Sequence, residues 1–185
     1  MDLGAGLEAW YNPLVQRMRA LEKPIVCAVN GVAAGAGANF AFACDIVLAA
    51  RSASFIQAFS KIGLVPDCGG SYFLPRLAGT QRAMAMALTG EPVSADEAER
   101  LGLVWKVHDD ERLMPEAEAL ARRLAEGPTH ALGLAKKAIY ASAGNSLAAQ
   151  LQLERDYQRR IGEGSDFREG VAAFLERRKP AFKGR

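Results

Sequence analysis

The chain has 185 residues, of which 50% are hydrophobic and 24% are charged, a composition typical of a globular protein with one sizeable domain. Its net charge of +2 at pH 7 is too small to indicate a protein of nucleic acid or of membrane surfaces. No apolar run approaches the roughly 20 residues that a membrane-spanning helix needs, and nothing resembles a secretory signal. We therefore expect a cytoplasmic protein that binds neither nucleic acid nor membranes.

The cysteines give no sign of a metal site. There are three, Cys27, Cys44 and Cys68, and none has a second cysteine or a histidine at the spacing of a metal-binding motif. Each lies among apolar or small residues, so we expect reduced, buried thiols and no bound metal.

The first part of the chain alternates helix and strand patterns. Apolar residues at three- and four-residue spacing predict an amphipathic helix over residues 7–21. Four apolar runs then predict strands, at residues 25–29, 45–50, 54–56 and 103–107. Strands that are apolar on both faces are typical of sheets covered on both sides.

The second part of the chain is predicted to be helical. The helices are expected at residues 115–126, 129–143, 146–161 and 166–178. Glycines and one Gly-Pro pair separate them. The sequence thus predicts an α/β fold with two parts, a core over residues 1–110 and a helical region over residues 111–185.

Residues 30–39 are the most informative segment. They join a predicted strand to a predicted helix through small residues, several of them glycine, which allow a sharp turn. The first N–H groups of a helix have no partner within the helix and lie at the positive end of its dipole. This turn is therefore expected to stabilise an oxygen that becomes an anion during a reaction, although many folds can build such a turn.

Three segments, in this order, resemble the crotonase (enoyl-CoA hydratase/isomerase) superfamily: residues 23–37, 44–49 and 63–70. The ending, residues 166–180, resembles the C-terminus of that family. Residues 34–37 and 66–70 are most similar to the family's isomerases of an aryl-epoxide thioester in bacterial phenylacetate degradation. The segment 152–159 supports the same assignment.

The resemblance implies a spiral of ββα turns followed by a helical region used in trimerisation, and hence a homotrimer or a dimer of trimers. It also implies an acyl-CoA substrate and no cofactor beyond the coenzyme A that the substrate carries. The thioester oxygen would become an enolate held by two backbone N–H groups. One donor would be Ala36, with Gly35 and Gly37 shaping its turn.

The resemblance places the second donor in a segment upstream of residue 1, which also helps to bind coenzyme A. We therefore expect the chain to lack the first third of the family's sequence. This predicts weak coenzyme A binding, or no activity, for the chain alone.

The resemblance also identifies the reacting groups. Asn39 and Phe59 occupy the positions of the two glutamates that activate water in hydratases of the family, and neither can act as a base. They are expected to line the substrate pocket instead. Asp67 matches an acid that transfers protons in isomerising members and is predicted to be catalytic. The plainer interpretation of Asp67 is an aspartate that forms a turn and caps the next helix.

The predicted function is therefore an acyl-CoA isomerase that rearranges an aryl epoxide. The alternatives are an enoyl-CoA double-bond isomerase and a non-catalytic interaction subunit with the same fold. Phe174 and Arg177 match residues that contact the adenosine part of coenzyme A in the family, since an aromatic ring and a cation suit a phosphorylated purine. Alternatively, Phe174 is a core residue of the last helix and Arg177 is solvated.

Overall fold

The computed structural model describes residues 2–185 and opens with a continuous helical segment. Helix α1 (Leu3–Gly6) begins after Asp2, whose carboxylate accepts a hydrogen bond from the N–H of Ala5 at 3.1 Å. It runs through a π-helical turn (Leu7–Tyr11) into helix α2 (Asn12–Ala20). The predicted helix over residues 7–21 is therefore present, but it starts earlier and contains a π-helical turn that the sequence pattern does not predict.

Six short strands lie within residues 2–185: β1 (Val26–Val29), β2 (Val32–Ala34), β3 (Ile46–Ala50), β4 (Ser54–Ile56), β5 (Val93–Ser94) and β6 (Lys106–His108). They form two three-stranded sheets, one with the order β1-β3-β6 and the other with the order β2-β4-β5.

Successive turns of the chain add a strand to each sheet. In the first sheet all neighbours are parallel, with Val26 opposite Ile46 and Leu48 opposite Lys106. In the second sheet β2 and β4 are parallel, with Ala33 opposite Phe55, and only the short β5 runs antiparallel. A strand in one sheet, a strand in the other and then a helix make one turn of a spiral, so the predicted α/β fold of ββα turns is confirmed.

The remaining helices alternate with these strands and then follow them: α3 (Ala36–Ala43), a 3₁₀ helix (Ala58–Ile62), α4 (Gly70–Ala78), α5 (Thr80–Thr89), α6 (Ala95–Arg100), α7 (Asp110–Ala125), α8 (Thr129–Ser142), α9 (Leu147–Gly162) and α10 (Ser165–Glu176). No helix within the described residues has the length and apolar character needed to cross a membrane.

The last predicted strand is displaced from its expected position. Leu103 and Val104 are buried, but both donate their N–H groups to the carbonyl of Ala98 and so close the end of α6. Gly102, with a φ of +79°, turns the chain at this point. The apolar pattern alone therefore predicts a strand that begins three residues before the observed one.

The chain forms two compact units. The first comprises the chain up to Arg19 together with Ile25–Glu118, and the second comprises Ala20–Pro24 and Ala119–Arg185. The core of the first is formed by small and apolar side chains between the sheets and helices, and the rings of Phe42 and Phe55 stack there at 5.4 Å. The predicted domain boundary at residue 110 stays a prediction.

Within the second unit, the short segment before β1 is held by α8. The buried Lys136 donates its Nζ to the carbonyl of Lys23 at 3.2 Å. Gly133 comes so close to the backbone of Glu22 that a Cβ there would lie 2.3 Å from its carbonyl oxygen. Asp166 is buried and accepts the N–H groups of residues 183–185, which fixes the final residues against α10.

Candidate active site

The turn between β2 and α3 depends on Gly35. Its backbone has a φ of +55° and a ψ of −123°, a conformation that glycine adopts readily and other residues do not. The Gly35 N–H donates to the carbonyl of Ile56 on β4 at 2.8 Å, and its own carbonyl accepts the N–H of Asn39 at 3.1 Å. The turn is thus tied at one side to a neighbouring strand and at the other to the helix that it begins.

This geometry leaves the N–H of Ala36 available. Ala36 is the first residue of α3, where the backbone N–H groups have no acceptor inside the helix, and none of the described residues accepts from it. The residue is half-buried, so an oxygen bound here would be partly shielded from water. The predicted anion site therefore has a free donor at the predicted residue.

Phe59 forms one wall beside this turn. Its ring is buried in the 3₁₀ helix, and a Cβ placed on Gly35 would lie 3.6 Å from its Cζ. An apolar ring at this distance shields the turn but exchanges no proton. The predicted role of Phe59 in lining the substrate pocket stays a prediction.

Asp67 lies in a tight turn that leads into α4. Two consecutive residues after it have positive φ values, Cys68 at +48° and Gly69 at +83°, and the N–H of Gly70 donates to the Asp67 carbonyl at 2.8 Å. Helix α4 has Gly69 at its N-cap and no capping side chain, so the interpretation of Asp67 as a helix cap is wrong. Instead, its Oδ1 is buried with no hydrogen-bond partner among the described residues.

A chain of buried amides connects this turn to α3. The Asn39 side chain is fully buried, and its Nδ2 donates to the main-chain carbonyl of Asp67 at 2.9 Å. Its Oδ1 accepts from the Nε2 of Gln57 at 2.8 Å. Gln57 is also fully buried, and its Oε1 has no partner among the described residues. The structure thus brings Asn39 and Asp67 together.

The sequence analysis missed Gln57. Its signal is a lone polar residue in a short apolar run, between Ile56 and Ala58. Buried polar side chains are uncommon and are normally hydrogen-bonded, so such a residue indicates a specific partner. Its partner, Asn39, is 18 residues away in sequence, and the pattern alone does not identify it.

Cys68 is not a nucleophile at this site. Its side chain is buried, and burial together with the neighbouring Asp67 carboxylate raises the pKa of the Cys68 thiol to about 12. The thiol therefore stays protonated at neutral pH, and thiolates rather than thiols attack substrates. Within residues 2–185 no group of three or more His, Cys, Asp and Glu side chains could hold a metal ion.

The two residues predicted to contact coenzyme A belong to the second unit. Phe174 lies on α10, and the residue is 82% exposed, so the alternative interpretation as a core residue is wrong. Arg177 is exposed and ends α10 with a φ of +55°. Their predicted contact with coenzyme A stays a prediction.

Comparisons with known proteins agree with this architecture. The family model described as enoyl-CoA hydratase/isomerase matches residues 4–185. The 1,2-epoxyphenylacetyl-CoA isomerase of Escherichia coli strain K12 is 57% identical over 184 residues, which cover all of this chain and 70% of that protein. The trans-2-decenoyl-[acyl-carrier-protein] isomerase of Streptococcus mutans is 36% identical over 94% of this chain and 66% of that protein.

Solved structures give the same result. An enoyl-CoA hydratase from Polaromonas sp. JS666 superimposes with a TM-score of 0.93 at 38% identity, over 98% of this chain and 71% of that one. A Geobacillus kaustophilus protein described as enoyl-CoA hydratase subunit I gives a TM-score of 0.91 at 39% identity, over all of this chain and 72% of that one. The predicted family is confirmed, and the chain belongs to the enoyl-CoA hydratase/isomerase family.

Proposed function

We propose that this chain is an isomerase of acyl-CoA thioesters and that it converts 2-(1,2-epoxy-1,2-dihydrophenyl)acetyl-CoA into its oxepin isomer in phenylacetate catabolism. The observation that carries the proposal is the Asp67 carboxyl group: the residue is half-buried, and its Oδ1 has no hydrogen-bond partner among the described residues, so no structural bond occupies this oxygen. The 57% identical Escherichia coli relative supports the choice of substrate.

The same site argues against hydration. Adding water to a double bond needs an acid and a base that hold the water. Asn39 uses both ends of its amide for Gln57 and for the Asp67 carbonyl, and Phe59 is an apolar ring. Neither side chain can activate water, so one carboxyl group, at Asp67, is left for proton transfer.

The proposed reaction uses two groups of this chain. The Ala36 N–H binds the thioester oxygen, and the Asp67 carboxylate removes a proton from the carbon next to the thioester carbonyl. The electron pair moves onto the oxygen, giving an enolate that the N–H stabilises. The carbon–carbon bond shared by the epoxide and the six-membered ring then breaks, and Asp67 returns the proton to a carbon of the seven-membered ring. No atom is gained or lost.

A second candidate is an enoyl-CoA double-bond isomerase. Moving a double bond along an acyl chain also removes and returns one proton beside a stabilised thioester oxygen, so it would use the same two groups of this chain. The 36% identical Streptococcus mutans isomerase favours it. Because isomers share a mass, NMR spectra of the products formed from each thioester would separate the two reactions.

The substitution Asp67→Asn tests both isomerase proposals. Losing a general acid–base group typically lowers the rate about 10²–10⁴-fold, and the amide keeps the shape of the side chain. The exposed Asp96→Asn is the matched control and should leave kcat unchanged. The Escherichia coli relative is the positive control for the assay. An undiminished rate in Asp67→Asn would remove Asp67 from the mechanism.

The remaining alternative is a non-catalytic interaction subunit. Isothermal titration calorimetry with coenzyme A and with the epoxide thioester distinguishes it. An enzyme should bind both ligands, whereas a folded oligomer that binds neither would favour the interaction role.

We also propose a homotrimer or a dimer of trimers, with Phe174 and Arg177 contacting the adenosine part of coenzyme A. The support is an exposed apolar face on α10, where Phe167, Val171, Phe174 and Leu175 recur at helical spacing. Sedimentation analysis should give a mass three or six times that of the chain. A monomer at micromolar concentration would contradict the proposed assembly.

A further inference from the structure

We propose that Asn39 and Gln57 are positioning residues that fix the direction of the Asp67 carboxyl group. The proposal rests on the proposed function, because it gives these amides a role in the reaction that Asp67 would perform. Neither side chain reaches solvent, so both act through Asp67 and not by touching substrate. The argument starts from the direction of each hydrogen bond.

The polarity of the amide chain is forced from one end. The Asp67 carbonyl can only accept, so Asn39 has to present its Nδ2 there. The Asn39 Oδ1 then faces Gln57, which has to present its Nε2. Gln57 is left with its Oε1 buried and unpaired among the described residues, which costs free energy. Because the Asp67 carbonyl can only accept, turning either amide around would break a bond, and the direction of both bonds is therefore fixed.

The packing leaves the amides no freedom to turn away. A Cβ on Gly70 would lie 2.3 Å from the Asn39 Nδ2, so the first turn of α4 presses directly against this amide. Gly70 is thus needed for α4 to approach α3 this closely.

The bond to the Asp67 carbonyl controls the carboxyl group of the same residue. The carbonyl accepts two donors, the Asn39 Nδ2 at 2.9 Å and the Gly70 N–H at 2.8 Å, which together fix the peptide plane after Asp67. With that plane fixed, the Cα of Asp67 is held in place, and the carboxyl group moves only by rotation about the bonds at this Cα and within its own side chain. The same bonds hold Cys68 in its left-handed conformation, which is unfavourable for a residue with a Cβ.

The substitution Asn39→Asp tests the proposal with almost no change of shape. An ionised aspartate cannot donate to the Asp67 carbonyl, so at a pH high enough to ionise this buried carboxyl group the turn should lose one of its two bonds. A small misplacement of a reacting group can cost about 10²-fold, and we expect kcat to fall about 10–100-fold with KM within about twofold of the wild type. Asn145→Asp, at an exposed amide that bonds to Gln150, is the matched control.

A second variant guards against misfolding. Gln57→Leu removes the outer donor while Asn39 can still reach Asp67, so kcat should fall less, about 3–10-fold. Hydrogen exchange of the Gly70 amide, which donates to the Asp67 carbonyl, should be faster in both variants than in the wild type. If Asn39→Asp does not fold, the kcat and the Gly70 amide exchange of Gln57→Leu decide whether the positioning role holds.

The outcomes separate the two proposals. An active wild type whose variants keep kcat, or lose activity only through a higher KM, would overturn the positioning role. A folded wild type that neither binds nor turns over either thioester would refute the proposed function instead. In that case, faster exchange of the Gly70 amide in the variants supports the positioning of the Asp67 turn by the amide chain, and unchanged exchange overturns that role.

Discussion

The substitution Gly70→Ala probes the contact on which the site depends most. The added Cβ would lie 2.3 Å from the Asn39 Nδ2 and 2.7 Å from both its Cγ and its Oδ1. Asn39 would have to move by about 1 Å to reach ordinary contact distance, and it is enclosed on every side. That movement breaks the bonds to Asp67 and to Gln57.

The expected cost follows from these contacts. Each buried group left unpaired costs about 1–3 kcal/mol, and overpacking adds about 1–3 kcal/mol. Alanine regains up to about 1 kcal/mol over glycine as a helix former. We therefore expect Gly70→Ala to lower the free energy of unfolding by about 3–6 kcal/mol, a large part of the stability of a typical domain.

Urea denaturation followed by circular dichroism measures this free energy. Gly37→Ala is the matched control, because it lies in α3 of the same unit and a Cβ there meets nothing within 4 Å. It should leave stability unchanged or raise it by up to about 1 kcal/mol. Equal unfolding midpoints for the two variants would refute the close packing of α4 on Asn39.

Three further predictions concern single side chains. Gly35→Ala should lower kcat about 10²–10³-fold in steady-state assays, because the backbone at a φ of +55° is strained with a Cβ and the adjacent N–H turns away from the thioester oxygen. The pKa of the Cys68 thiol is about 12 in the folded protein and about 9 in the unfolded chain. Above about pH 9 the unfolded chain therefore loses this proton while the folded protein keeps it, so the urea midpoint should fall as pH rises, and less so in Cys68→Ala. The hydrogen bond from Arg178 lowers the pKa of Glu169 to about 2. The stability that the ionised Glu169 contributes is therefore present above about pH 4.5 and is lost as pH falls towards 2. Thermal melting temperatures of Glu169→Gln should depend less on pH in this acid range than those of the wild type.

Local features of the fold could be predicted because their causes are local. Gly90, with a φ of +62°, ends α5, and a glycine in this conformation is a common helix end. The Ser94 hydroxyl accepts the N–H of Glu97 at 3.3 Å and begins α6, as is typical of a serine three residues before a glutamate. In both cases the residue that decides the boundary lies within a few positions of it.

Features that depend on distant partners could not be predicted. Strand β2 lies inside the segment predicted to be a simple turn, because a run of three residues is too short to show periodicity and is ordered by pairing with β4. Gln57 and Asn39 are 18 residues apart, and Asn39 and the Asp67 carbonyl 28 residues apart. Ala36 and Asp67 could be predicted as site residues because short motifs mark them, whereas the amide chain that joins α3 to Asp67 has no motif.

The amide chain also constrains how such a site can evolve. A glutamate at position 39 would be larger than the enclosed Asn39, would press on Gly70 and could not donate to the Asp67 carbonyl while ionised. Gln57 faces the same amide, so its best partner changes as well. Single substitutions towards a water-activating site would therefore pass through damaged intermediates. This epistasis predicts that residues at positions 39, 57 and 70 change together between isomerases and hydratases of this family.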